Sequence, residues 1–259
     1  MRVLLASVLV FVASSAASGQ TLATPAGAAI VEPIATEETL PAERGEWVLR
    51  WSADYLRAHE PSAHVPRVEL FFGLANRLGA EIDLPFVAGG EPGGRYGVGD
   101  VGTTIMWLAA GSGEGSHPHA LTLGCEIAWP TGNREAGTGA GTTEIHPFVG
   151  VLQEFKGLTL QGNVGWERQL ETGGEDGLAY GWALALPTAD RRLTALAEVG
   201  GRWVRQGEAS TLAVSPGFRY EMAPGMSAGL SVPLGLRSEM SRWGVIAQWQ
   251  FRLGTREAE

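Results

Sequence analysis

The chain has 259 residues and a formal net charge of −9, with 44% apolar residues, 37 Gly, 9 Trp, one Cys and a single Lys (Lys156) among 19 cationic residues. One cysteine excludes an intrachain disulfide scaffold, the aromatic content excludes wholesale disorder, and the acidic balance speaks against nucleic acid as a partner. No stretch reaches eighteen consecutive apolar residues, so any membrane the mature chain crosses is crossed by strands.

Residues 1–19 read as a cleaved secretory signal. Arg2 supplies a cationic start, Val3 to Val12 an apolar run, and Ala17-Ser18-Gly19 the small residues of a peptidase site, with Gln20 as the new N-terminus. The run is too short for a membrane helix, which needs about twenty residues. No Cys follows it, which speaks against a lipoprotein anchor. Loss of Arg2 leaves 18 cationic against 28 acidic residues, a net −10. Residues 20–45 are rich in Ala, Thr, Pro and Glu and carry no period of 2 or 3.6. They read as an N-terminal arm, either periplasmic or tucked into a larger structure as a lumen segment.

From Glu46 onward apolar residues alternate with small or polar ones over segments of about ten, separated by Gly, Pro, Asn and Asp, which is the pattern of half-exposed strands. Twelve segments follow in order. The first six are Glu46 to Leu56, His64 to Leu74, Leu78 to Val87, Gly97 to Leu108, His119 to Pro130 and Glu144 to Phe155. The last six are Leu158 to Arg168, Gly177 to Leu186, Leu193 to Trp203, Thr211 to Glu221, Met226 to Leu236 and Trp243 to Leu253. Asn76-Arg77, Lys156-Gly157 and Ala223 to Gly225 suit tight hairpin turns. Between them fall six longer loops, all on the opposite side if both barrel ends are periplasmic, an asymmetry typical of outer-membrane barrels. The ten-residue connection Ala109 to Pro118 breaks that rule.

Charge parity separates a membrane barrel from a soluble sandwich. Arg50, Asp54, Arg67, Glu69, Glu81, Asp83, Asp100, Glu126, Glu144, Glu154, Glu167, Glu198, Arg202, Arg219, Glu221 and Arg252 all fall on the polar face, eleven acids against five arginines. They are candidates for lining a lumen. No charge falls mid-segment on the apolar face, the exclusion that hydrocarbon imposes, since Arg or Lys near a bilayer midplane costs about 2–4 kcal/mol. All nine Trp have apolar parity. Trp47, Trp107, Trp129, Trp166, Trp203 and Trp243 are candidates for the membrane interface, where amphipathic rings form a belt. The expected fold is therefore an all-β, transmembrane, antiparallel up-and-down barrel of about twelve strands from 46 to 253, with a short tail at 254–259.

Other motifs have weaker claims. Gly97-Val98-Gly99-Asp100-Val101-Gly102 matches the dinucleotide fingerprint, but a period-2 run follows it where a helix is required. His117-Pro118-His119 has no Cys or second His pair nearby to complete a metal site, and Cys125 reads as a small lipid-facing hydrophobe. The histidines within strands, His64, His119 and His146, do not fall beside Ser and Asn in the arrangement of an outer-membrane phospholipase, and there is no nucleophile elbow. No catalytic, cofactor-binding or metal residue is assigned.

Gly97-Val98-Gly99-Asp100-Val101, Ala128-Trp129-Pro130-Thr131-Gly132, Asn163-Val164-Gly165, Trp243-Gly244-Val245 and the Thr36-Glu37-Glu38 arm followed by Gly45 resemble the transporter family labelled for the MetA pathway of phenol degradation. The resemblance covers nearly the whole mature chain. It implies an outer-membrane barrel for uptake of aromatic or other hydrophobic solutes and supplies no binding residues. The sequence expectation is thus a passive channel for small solutes in the outer membrane of a Gram-negative cell. Its partners would be outer-membrane lipid, the solute, and the barrel-assembly machinery, which reads an amphipathic last strand such as Trp243 to Leu253. Two other readings stand beside it: an outer-membrane hydrolase on the same barrel, and a soluble periplasmic β-barrel binding protein.

Overall fold

A computed structural model describes residues 34–36, 39–57, 62–88, 96–112, 118–171, 174, 176–204, 210–237 and 243–253. Residues 1–19, the expected signal, and His117 and the C-terminal tail lie outside these. The described chain forms fourteen strand segments and contains no helix. They are β1 (Trp47–Arg57), β2 (Ser62–Ala75), β3 (Leu78–Ala88), β4 (Tyr96–Val98), β5 (Val101–Ser112), β6 (His119–Trp129) and β7 (Glu144–Phe155), followed by β8 (Leu158–Gln169), β9 (Asp176–Pro187), β10 (Leu193–Val204), β11 (Thr211–Ala223), β12 (Met226–Ser231), β13 (Leu234–Arg237) and β14 (Trp243–Leu253).

β4 and β5 both pair with β3 and are two pieces of one wall element, interrupted at Gly99 and Asp100. β12 and β13 likewise share the place between β11 and β14. Each remaining strand pairs antiparallel with its sequence neighbours, and β14 pairs with β1 along its full length from Trp47↔Leu253 to Arg57↔Trp243. The result is a closed, twelve-stranded antiparallel barrel, as the sequence pattern predicts. Pairing of β14 with β1 closes the sheet, so it has no first or last strand left open to pair with another chain.

Hairpin chemistry fixes the short connections. Lys156 and Gly157 both have positive φ, the backbone of a type I′ turn, whose twist matches that of the strands it joins. The Thr188 to Arg192 connection, on the same end of the barrel, is tied by Thr188 Oγ1 donating to Asp190 Oδ1 at 2.6 Å. The ten-residue connection expected after Leu108 is corrected. A bulge between Leu108 and Ala110 hides the continuing alternation, and β5 runs on to Ser112, paired with His119. The connection is thereby cut from ten residues to six, 113–118.

Burial alternates with the pleat. In β10, Thr194, Leu196 and Glu198 are buried while Leu193, Ala195 and Ala197 are exposed. Alternate residues of each strand thus line the inside or form the outer surface.

Candidate functional site

The inner wall carries a band of charge built by strand register. Arg50 of β1 lies opposite Glu69 of β2, which lies opposite Asp83 of β3, and one step further along Arg67 faces Pro85. Arg67 grips Asp83 through Nη2 at 2.6 Å and Nε at 3.0 Å, and its Nε is 3.7 Å from Glu69 Oε1. Arg50 completes the ladder, with Nη1 3.5 Å from Glu69 Oε2 and its guanidinium 4.5 Å above the Phe71 ring. Planar guanidinium groups suit such forked contacts with carboxylates. A Cβ at Gly102 would lie 3.2 Å from both Asp83 Cβ and Glu126 Oε1, so the absence of a side chain there lets two acids converge. Glu126 Oε2 in turn lies 3.6 Å from Nδ1 of buried His146.

The other inward candidates are distributed around the wall. Glu81 of β3 is half-buried opposite Phe71 and Thr104, and Glu144 is half-buried opposite Ala128 and Gln169. Arg202 of β10 reaches over β9 to bond Glu167 of β8. Buried Arg219 bonds neutral partners, Ser227 Oγ at 3.1 Å, Gln248 Oε1 at 2.6 Å and Gln250 Oε1 at 3.1 Å. Arg252 Nη1 meets Glu46 Oε1 at 3.2 Å. Asp54, Glu154 and Glu221 are half-buried beside Ile246, Thr159 and Ser227 respectively. Asp100 sits apart, in the gap between β4 and β5, where it receives backbone N–H groups from the β6–β7 loop.

Parity by polarity missed a second inner feature. Val48, Phe71, Met106 and Phe148 form one buried apolar cluster, and Leu108, Ala120 and Leu152 form another. All stand on the same parity as the charges. Each cluster is covered by a residue of the arm, Ala42 on the first and Leu40 on the second. Ile34 joins Ala185 and Leu196 in a third cluster, with Ile246 packed against it. Burying a side chain of this size stabilises by about 1.5–3 kcal/mol, so these contacts hold the arm as well as fill the wall.

Polar bonds fix its path. Glu198 accepts the backbone N–H groups of Ile34, Ala35 and Thr36 at 2.9–3.2 Å and the Thr36 hydroxyl at 3.0 Å. Thr39 Oγ1 donates to buried Gln161 at 2.8 Å. At the other end, Gly45 N–H donates to Gly73 O and Gly73 N–H to Glu46 O. A Cβ on Gly73 would fall 1.7 Å from Glu43 O, so only glycine admits the arm there. The arm has no strand period because its contacts follow this curved inner surface.

On the outside, Trp47, Trp107, Trp129, Trp166, Trp203 and Trp243 are all 39–53% exposed. Trp129, Trp166, Trp203 and Trp243 lie at the long-loop end of their strands, and Trp47 and Trp107 toward the short-turn end. Trp51 and Trp249 meet between them in a tilted pair, ring centroids 4.6 Å apart, and Tyr55 meets Trp243 edge-on at 5.9 Å. Cys125 is exposed on this outer face. No group of three or more His, Cys, Asp or Glu able to hold a metal occurs among the described residues. Gly97 to Gly102 runs from strand to strand, so the dinucleotide fingerprint has no helix to complete it.

No family model and no curated protein matches the chain, so the phenol-pathway label gains no support from sequence comparison. Solved structures do match. The COG4313 outer membrane channel from Pseudomonas putida F1 superposes with a TM-score of 0.65 at 12% identity, covering 86% of this chain and all of the other. The comparison shows an outer-membrane type of barrel. The NanC porin matches with a TM-score of 0.57 at 10% identity, covering 79% of this chain and 100% of its own. The KdgM porin matches with a TM-score of 0.52 at 9% identity, covering 79% and 98%.

Proposed function

We propose that the chain is an outer-membrane channel through which small solutes pass passively. The observation that carries this reading is the opposition of its two faces: a closed barrel presents exposed Leu, Ile, Val and Trp outward and its charged ladder inward. Water would penalise that outside and hydrocarbon would not. The similarity in fold to an outer membrane channel and two porins supports the same reading.

The arm makes the passage narrow. Its described contacts run from Gly73 and Gln161, in the parts of β2 and β8 nearer the short turns, to Glu198 in the middle of β10, which is as far from the short-turn end of its strand as Asp83 is in β3. With both barrel ends in the periplasm, the arm enters from that side and shares the middle of the lumen with the charged band. Inward acids outnumber inward arginines, an excess that favours cations and neutral molecules over anions. Aromatic or hydrophobic solutes are the finer reading, which rests on the sequence resemblance alone. No cofactor or energy source is needed for diffusion through such a path. The last strand, with Trp243, Trp249 and Phe251 on its outer face, is the element the assembly machinery would read.

Cell fractionation tests the reading. The mature chain should enter the outer-membrane fraction and run as a heat-modifiable band; recovery from the soluble periplasm without detergent would contradict it and favour a binding protein.

A further inference from the structure

The Gly97 to Gly102 segment is not a nucleotide cradle, yet its geometry is specific. It interrupts a wall strand between β4 and β5, and the β6–β7 loop, residues 130–143, folds onto the interruption. Asp100 Oδ1 accepts the Gly132 N–H at 2.9 Å and Oδ2 accepts the Ala140 N–H at 2.6 Å, so one carboxylate ties the loop's two limbs together. Between those limbs residues 133–138 form a compact hairpin. Asn133 N–H donates to Thr138 Oγ1 at 3.0 Å and Ala136 N–H to Asn133 Oδ1 at 2.9 Å.

The seat faces inward. Thr138 is 5% exposed. A Cβ at Gly97 would lie 3.6 Å from its Cγ2, and one at Gly99 would lie 3.2 Å from its carbonyl oxygen and 3.0 Å from Pro85 Cγ. Pro85 shares the inner parity of Asp83, so the hairpin is drawn against the inside of the barrel mouth. Thr131 fastens the edge of the seat, accepting the Val101 N–H at 2.9 Å and donating to Gly99 O at 3.1 Å. The limbs touch through bare backbone, since a Cβ on Gly139 would fall 2.6 Å from Asp100 Oδ1 and 2.7 Å from Gly132 Cα.

We propose that this infolded loop is a size filter at the outer mouth, and that Asp100 is the residue that positions it. The inference rests on the channel reading and adds a constriction separate from the arm. A loop free at both limbs would swing with solvent; one tied at both limbs to the wall takes a fixed share of the opening. Two charge-assisted bonds to one half-buried carboxylate supply that fixity.

The test compares wild type, D100A, and a variant in which residues 133–138 are replaced by two glycines, each first shown to be a heat-modifiable barrel. Single-channel conductance and liposome swelling with neutral sugars of increasing size are measured, together with the mobility of a spin label at Glu135. D100A and the shortened loop should both raise conductance and move the sugar cut-off up by at least one hexose unit, and combining them should add nothing. D100A should also mobilise the label. A folded D100A with wild-type conductance and cut-off overturns the proposal, as does a label already mobile in wild type. A wild type without current removes the channel reading and the filter with it. Label mobilisation by D100A would then show that the loop seat alone survives.

Discussion

Glu198 holds Thr36 twice, accepting its backbone N–H at 2.9 Å and its hydroxyl at 3.0 Å. The same carboxylate takes the N–H groups of Ile34 and Ala35, so one wall residue satisfies three successive backbone donors that would otherwise be stranded inside the barrel. Hydrogen bonds to a charged group contribute about 1.5–3 kcal/mol each, less when shared. E198A should therefore weaken arm docking by roughly 2–4 kcal/mol, and E198Q, which keeps an acceptor oxygen, by less. Protease cleavage within residues 34–45 should become faster in that order, while heat-modifiable migration of the barrel persists. Unchanged cleavage in E198A would mean the apolar contacts alone hold the arm.

Steric exclusion at Gly73 gives an independent route to the same state. A methyl there would overlap the Glu43 carbonyl, and backbone cannot rotate away as a side chain can. G73A should displace the arm from its point of entry and raise conductance, with β2 and its pairing to β3 retained. A G73A protein whose arm is as protected as wild type would show that the contact relaxes.

The inner charges do not act alike. Asp83 is engaged by Arg67, whereas Glu126 meets His146. E126Q should lower cation preference by removing one negative charge from the path. D83N should lower it further, because it also leaves the Arg67 charge without its strongest partner. Reversal potentials across a salt gradient measure both. Equal and negligible shifts would make the ladder a structural brace only.

On the outer face Ile105 is 50% exposed in the middle of β5, with Cys125 opposite it. I105R would place a guanidinium against lipid at a cost of about 2–4 kcal/mol, read as a lower denaturant midpoint for the lipid-embedded barrel. T104R on the adjacent inner position meets the lumen instead, and its penalty is one of space rather than desolvation. If I105R unfolds at the wild-type midpoint, the outer face is not in hydrocarbon.

The wall was readable because two constraints act on every strand at once: the pleat sets a period of 2, and the two environments sort residues by polarity. β7 and β14 match the segments read from sequence at both ends, Glu144 to Phe155 and Trp243 to Leu253. The pattern breaks where one of these constraints is relaxed. A bulge at Leu108 shifted the alternation and concealed the end of β5. Phe71, Met106 and Phe148 face inward although they are apolar, because Ala42 and not water covers their cluster. The contacts of Ile34 and Leu40 could not be inferred at all, since an arm laid over a curved surface repeats no spacing. Asp100 has inner parity in the sequence, but its role depends on a loop forty residues ahead, a distance no local pattern spans.

The channel reading is tested most directly by planar-bilayer recording of the mature, heat-modifiable protein. It predicts small, discrete current steps with a preference for cations, enlarged when Glu198 is replaced by alanine. A fully folded barrel that inserts into the bilayer yet gives no steps in wild type or in E198A would contradict it.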